Sequence, residues 1–287
     1  MSQFIYKKPK QLQEAFSIMK ENPAYSIIAG GTDLMVKMKD NRITAKVIID
    51  VSELNDLREI KEKQGTIYLG AAVTHTEICK SELLRGFAPA LVHASGLVGS
   101  PQIRNRGTVG GNIGNASPAA DTIPALMAYG AEIVLASAEG VRSLALEDFF
   151  VGPGRTVISP GEVILSIEFN KLQATQAVSF EKLGKRKALA ISVVNAAAFL
   201  EIDKTKAVVT KARLALGSVA AKPIRVSAAE EALIGYSLSD DKIKEVAKIV
   251  SDSITPIDDV RSEALYRKRI AGVLTQRTLI DAWKQLV

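Results

Sequence analysis

The residues with the most chemical potential in this chain are glycines. In SIIAGGTDLMVKMKD (residues 26–40), Gly30 and Gly31 stand where an apolar, strand-like run gives way to helix formers. Glycine accepts left-handed backbone without strain, so successive peptide N–H groups can turn to one side and form a concave anion site. Thr32 adds a hydroxyl where a phosphate oxygen would sit. A tight strand-to-helix turn without a ligand accounts for this stretch equally well. A second loop, TVGGNIGNASPAAD (residues 108–121), shifts the balance, because Gly110 and Gly111 again follow a β-branched pair and Gly114 comes three residues later. Asn112 and Asn115 can brace this loop or bond a ligand's polar edge, and Asp121 offers a carboxylate to ribose hydroxyls. Two Gly-Gly turns, each after an apolar run, are most economically explained as two jaws on one pyrophosphate.

Other reactive residues are few. Cys79 is the one cysteine, which rules out an intrachain disulfide and a Cys-ligated iron–sulfur cluster or structural zinc within this chain. His75 and His93 are the only histidines, and each reads as structural or surface rather than functional. No G-x-G-x-x-G opens a helix after a strand, no G-x-x-x-x-G-K-[ST] occurs, and no G-x-S-x-G elbow is present. A dinucleotide bound here is therefore not held by a Rossmann fold, and difficult chemistry needs a cofactor. The 287 residues are 47% hydrophobic and 24% charged, an ordinary globular profile. The net charge of +6 is scattered among acidic residues and reads as a solvated surface, not a nucleic-acid interface. No apolar run of about 18 residues occurs, and MSQFIYKKPK has no apolar signal core. These features predict a cytoplasmic protein without a membrane span.

The elements that must position the loops are legible from periodicity. Pro9 and Pro23 bracket a helix carrying Leu12, Phe16 and Met19. YSIIA and KVIIDV read as strands, so the opening is a small β/α lobe. REIKEKQGTIYLG reads as a hairpin about Gln64-Gly65, and Thr74 and Thr76 can cap a helix through EICKSELLRG. Pro89 opens another helix, and AEIVLAS is a strand. The Pro- and Gly-rich loop VGPGRTVISPGE, leading into VILSIEF, is the neighbourhood expected for a domain boundary. AVSFEKL, ISVVNAAAFLEI and AVVTKARLALGSV follow with hairpin-like spacing, and then three helices. In the last, from about Arg261, the residues Tyr266, Ile270, Val273, Ile280 and Trp283 fall approximately on one face.

With these residues in place, IIAGGTDLM and GSPQIRNRGTVGGNIGNASPAADTIPAL resemble the FAD-binding subunit of the molybdenum hydroxylases, in order and about 80 residues apart. That group includes bacterial xanthine and nicotinate dehydrogenases and the medium subunit of carbon monoxide dehydrogenase. VGPGRTVISPGEVILSIEF and SFEKLGKRKALAISVVNAAA are similar to the family too, so the likeness spans essentially the whole chain. The resemblance implies an α+β protein: a two-lobed FAD-binding domain of the vanillyl-alcohol-oxidase (PCMH) type, with lobe 1 in residues 1–55 and lobe 2 in residues 56–172. A C-terminal α+β domain, an antiparallel sheet with a helix bundle, would occupy residues 173–287. It also implies that Ile28, Ala29, Gly30, Gly31, Thr32, Asp33 and Leu34 line the FAD pyrophosphate through backbone N–H groups. Thr108, Val109, Gly110, Gly111 and Asn112 would hold its other side, and Asp121 the adenosine ribose. Ile164 resembles the position whose backbone lies against the adenine. Lys182 lies in the strand that faces the flavin in relatives, a solvated lysine being the other reading. Val98 sits where some relatives carry an aromatic near the flavin. The variant with an extra iron–sulfur cluster in this subunit needs several cysteines, which this chain lacks.

The function implied is electron transfer within an oxidoreductase. The molybdenum cofactor and 2Fe-2S clusters are expected on a large and a small partner chain, in a dimer of heterotrimers, with electrons reaching FAD here and passing to NAD+ or another acceptor. No side chain of this sequence then has to act as acid, base or nucleophile. A stand-alone flavin oxidoreductase of the same fold needs a substrate-side base or a covalent flavin anchor, and the glycine loops offer neither. A non-catalytic assembly subunit would leave the loops as turns only and bind no FAD.

Overall fold

The computed structural model describes residues 4–186 and 189–287; Lys187 and Ala188 of the FEKLGKRKALA stretch, and the first three residues, lie outside the described residues. The chain opens with β1 (Ile5–Lys7), α1 (Leu12–Glu21), β2 (Tyr25–Ile28), α2 (Leu34–Lys39) and β3 (Val47–Asp50). The three strands form a parallel sheet in the order β1–β3–β2. All four residues of β3, the central strand, are buried, as the continuous apolar run VII requires. Ala15, Phe16 and Met19 of α1 join Val47 and Ile49 in one core.

The middle of the chain builds β4 (Ile60–Lys63), β5 (Thr66–Gly70), α3 (His75–Lys80), α4 (Glu82–Phe87), α5 (Pro89–Gly96), α6 (Pro101–Arg104), α7 (Val109–Gly114) and α8 (Thr122–Tyr129). It continues with β6 (Glu132–Ser137), β7 (Gly140–Ala145), β8 (Phe150–Gly152), β9 (Arg155–Thr156) and β10 (Val163–Asn170). Gln64 and Gly65, with φ of 54° and 85°, make the two-residue turn between β4 and β5. The single helix expected after Thr74 is two. Thr74 and Glu77 form a reciprocal cap on α3, and Ser81 ends that helix and caps α4 with its own hydroxyl. The five-stranded antiparallel sheet runs β4–β5–β10–β6–β7. The Pro- and Gly-rich loop at 151–162 therefore does not divide the chain: the strand after it, β10, pairs with both β5 and β6.

The sheet changes instead between β10 and β11 (Gln176–Gly184). With β12 (Ser192–Asp203), β13 (Val208–Gly217) and β14 (Ile224–Arg225), β11 makes an antiparallel meander followed by α9 (Ser227–Glu231), α10 (Asp240–Ser253) and α11 (Ala264–Lys284). The run NAAAFL in β12 is covered on both faces. Ala197 and Phe199 join the core of the middle region, while Ala196, Ala198 and Leu200 join the core under α10 and α11. Every residue of α8 is buried, since this helix lies between the five-stranded sheet and β12 and β13.

The apolar face of α11 is only in part the buried one: Ile270 and Trp283 pack against the core. Tyr266 and Val273 are exposed, and the face turned inward carries Arg267, Ala271, Leu274, Thr275, Thr278, Leu279 and Ala282. Periodicity of large apolar residues misses it because small and polar residues share the inward face. Thr275 and Thr278 donate to carbonyls one turn back, and Arg267 reaches Asp259 and the carbonyls of Val193 and Ser218.

Candidate functional site

The two glycine turns meet, and between them lies a cleft of about 330 Å³ at the junction of the parallel and the antiparallel sheets. Each glycine of the first turn has its own physical reason. Gly31 has φ +75°, the left-handed region. Gly30 is bare because a Cβ there would lie 1.9 Å from the carbonyl oxygen of Arg106. The first turn thus packs backbone to backbone against the segment leading into the second. Gly30→Ala is expected to force the two loops apart, at the cost of at least the ~1–3 kcal/mol typical of overpacking, and thermal melts of the variant check this.

The two loops are not equivalent as donors. Among the described residues, the peptide N–H groups from Gly30 to Leu34 donate to no protein acceptor, and all five residues line the cleft. The second loop spends its amides internally. Val109 donates to Val73 O, Gly110 to Ala71 O, Gly111 to the Thr108 hydroxyl and Asn112 to Thr108 O. Gly110 is a glycine because α7 packs on Ala71, where a Cβ would approach to 2.6 Å. This loop lines the cleft with Gly110, Gly111 and Gly114 and with Thr108 and Asn112, the side-chain carbonyl of Asn112 being held by Thr122.

Asn115 braces the cleft by bridging the two sides. Its Oδ1 accepts from Lys37 Nζ at 2.7 Å and its Nδ2 donates to Asp33 Oδ1 at 3.2 Å. Lys37 is the only Lys or Arg lining the cleft among the described residues, and the helix pattern that carried it held no signal of this role. Ile28, Ala29, Thr32, Ile164 and Val98 also line the cleft, as do Gly107, Ile158 and Val163, which sequence reasoning did not single out.

Three residues expected at the site do not line this cleft. Val109, the first residue of α7, is fully buried and does not line the cleft. Asp121 and Lys182 do not line it either. They form an ion pair at 2.5 Å, with side chains 9% and 6% exposed. Asp121 Oδ1 also accepts from Ser192 Oγ at 2.6 Å and from Asn195 Nδ2, and Lys182 Nζ donates to Leu97 O at 3.0 Å. Burial pushes the Asp121 carboxyl above its ordinary value, opposed by the Lys182 ammonium and by the Ser192 and Asn195 donors. Three protein partners hold the Asp121 carboxylate in this cluster. Lys182 is neither solvated nor in the cleft. The pair ties β11 to Leu97, the neighbour of cleft-lining Val98.

His75, read from sequence as structural or surface, is buried on the cleft wall. Its N–H donates to Gly107 O, and Nδ1 is sealed without a partner. Burial, with the Arg104 charge adding to it, lowers the imidazole to about 4. A base whose folded value lies below its unfolded one binds protons preferentially in the unfolded chain. No stability is lost on its account well above pH 6.5, and the loss grows as pH falls, to about 3 kcal/mol at pH 4. His75→Leu is expected to flatten that part of the stability–pH curve, as denaturant titrations between pH 4 and 7 would register.

Two lobes closed on a cleft with unspent amides on one wall, followed by a meander backed by helices, define a two-lobed FAD-binding protein of the vanillyl-alcohol-oxidase type with a C-terminal α+β domain. The chain belongs to the family of FAD-binding subunits of molybdenum hydroxylases. Residues 2–170 match the family described as FAD binding domain in molybdopterin dehydrogenase, and residues 179–282 the CO dehydrogenase flavoprotein C-terminal domain. It is 34% identical to the nicotinate dehydrogenase FAD-subunit of Eubacterium barkeri, over 100% of this chain and 98% of that one. Identity to the glyceraldehyde dehydrogenase medium chain of Sulfolobus acidocaldarius is 33%, over 96% of each. In structure it is similar to a chain of carbon monoxide dehydrogenase from Hydrogenophaga pseudoflava, with TM-score 0.95, 28% identity, and coverage of 100% of this chain and 99% of that one. These relatives are oxidoreductases by name, and this chain is an oxidoreductase subunit with an FAD-binding domain. No helix among the described residues is long and apolar enough to cross a membrane.

Proposed function

We propose that this chain holds FAD as the electron-transfer subunit of a multi-subunit molybdenum-containing dehydrogenase in the cytoplasm. The molybdenum cofactor and 2Fe-2S clusters belong to a large and a small partner chain, in a dimer of heterotrimers, and NAD+ or another acceptor takes the electrons. The observation that carries this reading is the run of five amides, Gly30 to Leu34, with no protein acceptor, on the wall of a cleft between two lobes. An array of that kind fits a pyrophosphate, whose oxygens accept several N–H bonds at once. Nicotinate dehydrogenase and carbon monoxide dehydrogenase, named among the relatives, support the assignment to a molybdenum enzyme.

Each residue has a task within this reading. Gly30 to Leu34 hold the pyrophosphate through backbone N–H groups, and Ile28 and Ala29 shape the approach. Thr108 and Asn112 bond it from the opposite wall through their side chains. Lys37 supplies a positive charge near the phosphates, its Nζ already oriented by Asn115. Ile164 lies against the adenine, and Val98 against the flavin ring. Asp121 and Lys182 act at one remove, fixing Leu97 and with it Val98. A flavin bound here would supply the redox chemistry, and these residues would hold it in place.

Titration of the full chain with FAD and with FMN tests the assignment. Binding of one FAD per chain, with FMN at least about tenfold weaker for want of the pyrophosphate and adenine, is the expected result. Equal affinity for the two, or no binding of either, contradicts it.

A further inference from the structure

We propose that His75 is an FAD-binding residue: a neutral imidazole whose Nε2–H donates to a pyrophosphate oxygen of the bound dinucleotide. The proposal deepens the reading above and rests on it.

The ring sits where the two glycine turns meet. A Cβ placed on Gly107 would lie 3.4 Å from His75 Cδ2 and 3.5 Å from Thr32 Oγ1, so the Cδ2 edge of the ring faces this junction. Nε2 is bonded to Cδ2, while Nδ1 lies across the ring, sealed and without a partner. An N–H buried without an acceptor costs the full desolvation of a donor, so the proton belongs on Nε2, and the lone pair is what Nδ1 keeps in the interior. Nε2 has no hydrogen-bond partner among the described residues, and the ring lines the cleft. The backbone locks this placement. The His75 N–H donates to Gly107 O at 3.0 Å, a bridge joins Thr74 to Thr108, and the reciprocal Thr74–Glu77 cap fixes the first turn of α3. The result is a rigid, uncharged donor pointed at the place where the amides of Gly30 to Leu34 gather. Burial keeps the ring neutral through the working pH range, so it adds a hydrogen bond without carrying a charge into the site.

The test uses the full chain and FAD as the probe, with flavin fluorescence quenching as the readout. His75→Gln retains an N–H near the position of Nε2, whereas His75→Met fills the space without a donor. The dissociation constant should rise about tenfold or more in the Met variant, the loss of one hydrogen bond to a charged acceptor. In the Gln variant it should change by less than about threefold. A second readout is independent of folding defects in the variants: proton–nitrogen correlation of histidine labelled with nitrogen-15. The chain has only two histidines, and His93→Gln leaves one. Addition of FAD should shift the Nε2 signal of His75 and leave Nδ1 as the unprotonated nitrogen. Wild-type-like FAD affinity in His75→Met, or an imidazole spectrum unmoved by bound FAD, overturns the proposal while leaving the cofactor reading intact. Failure of the wild-type chain to bind FAD overturns both.

Discussion

Gly31→Val purifies without flavin. The position holds φ +75°, and a β-branched residue there is strained by about 1–3 kcal/mol. A Cβ at this position would also meet Ile28 Cδ1 at 3.1 Å. The turn relaxes by rotating peptide units, and the amides of the run from Gly30 to Leu34 then no longer point to one place. Loss of two charge-assisted hydrogen bonds, at about 1.5–3 kcal/mol each, weakens FAD a hundredfold or more. The meander domain keeps its own core under α10 and α11, so its melting is expected to be unchanged. Flavin content by absorbance, beside a circular dichroism melt, decides the matter; stoichiometric flavin in this variant would contradict an anion site at this turn.

The second large effect falls on stability. In Asp121→Ala, Lys182 stays 6% exposed with Leu97 O as its remaining partner, and Ser192 and Asn195 lose their shared acceptor. Stranding one member of a buried pair costs about 3–5 kcal/mol, a fall in Tm on the order of 10 °C. The double variant Asp121→Asn, Lys182→Met removes the charge from both sides and should be less destabilised than Asp121→Ala. A carboxylate bonded to the adenosine ribose makes the opposite prediction: weaker FAD and an unmoved Tm. Melting curves with and without FAD separate the two.

Much of the fold is legible in the sequence because apolar periodicity decides it. The strands of the meander, the hairpin at Gln64-Gly65 and the caps at Thr74 and Pro89 all stand where local pattern places them. What escapes is set by long-range contact. The need for glycine at position 30 comes from the carbonyl of Arg106, 76 residues on, which no local pattern announces. Asp121 looks like a ligand residue because it closes a polar loop, yet its partners Lys182, Ser192 and Asn195 arrive from the next sheet. The buried face of α11 is hidden because Arg267 and two threonines lie on it, Arg267 held by Asp259 and by the distant carbonyls of Val193 and Ser218. His75 is easily discounted because a lone histidine carries no pattern at all. Of the two jaws, the first has the free amides its glycines suggest. The second has none to spare from Val109 to Asn112, since Ala71, Val73 and Thr108 take its amides.

The visible absorption spectrum of the complex isolated from its native host through this chain, with the co-purifying chains identified by mass, tests the central claim most directly. Flavin absorbance overlaid on that of iron–sulfur clusters, with one large and one small partner, is the predicted result. Flavin alone on a single chain that turns over a substrate by itself would contradict the electron-transfer assignment. A colourless chain that refuses added FAD would contradict the cofactor reading altogether.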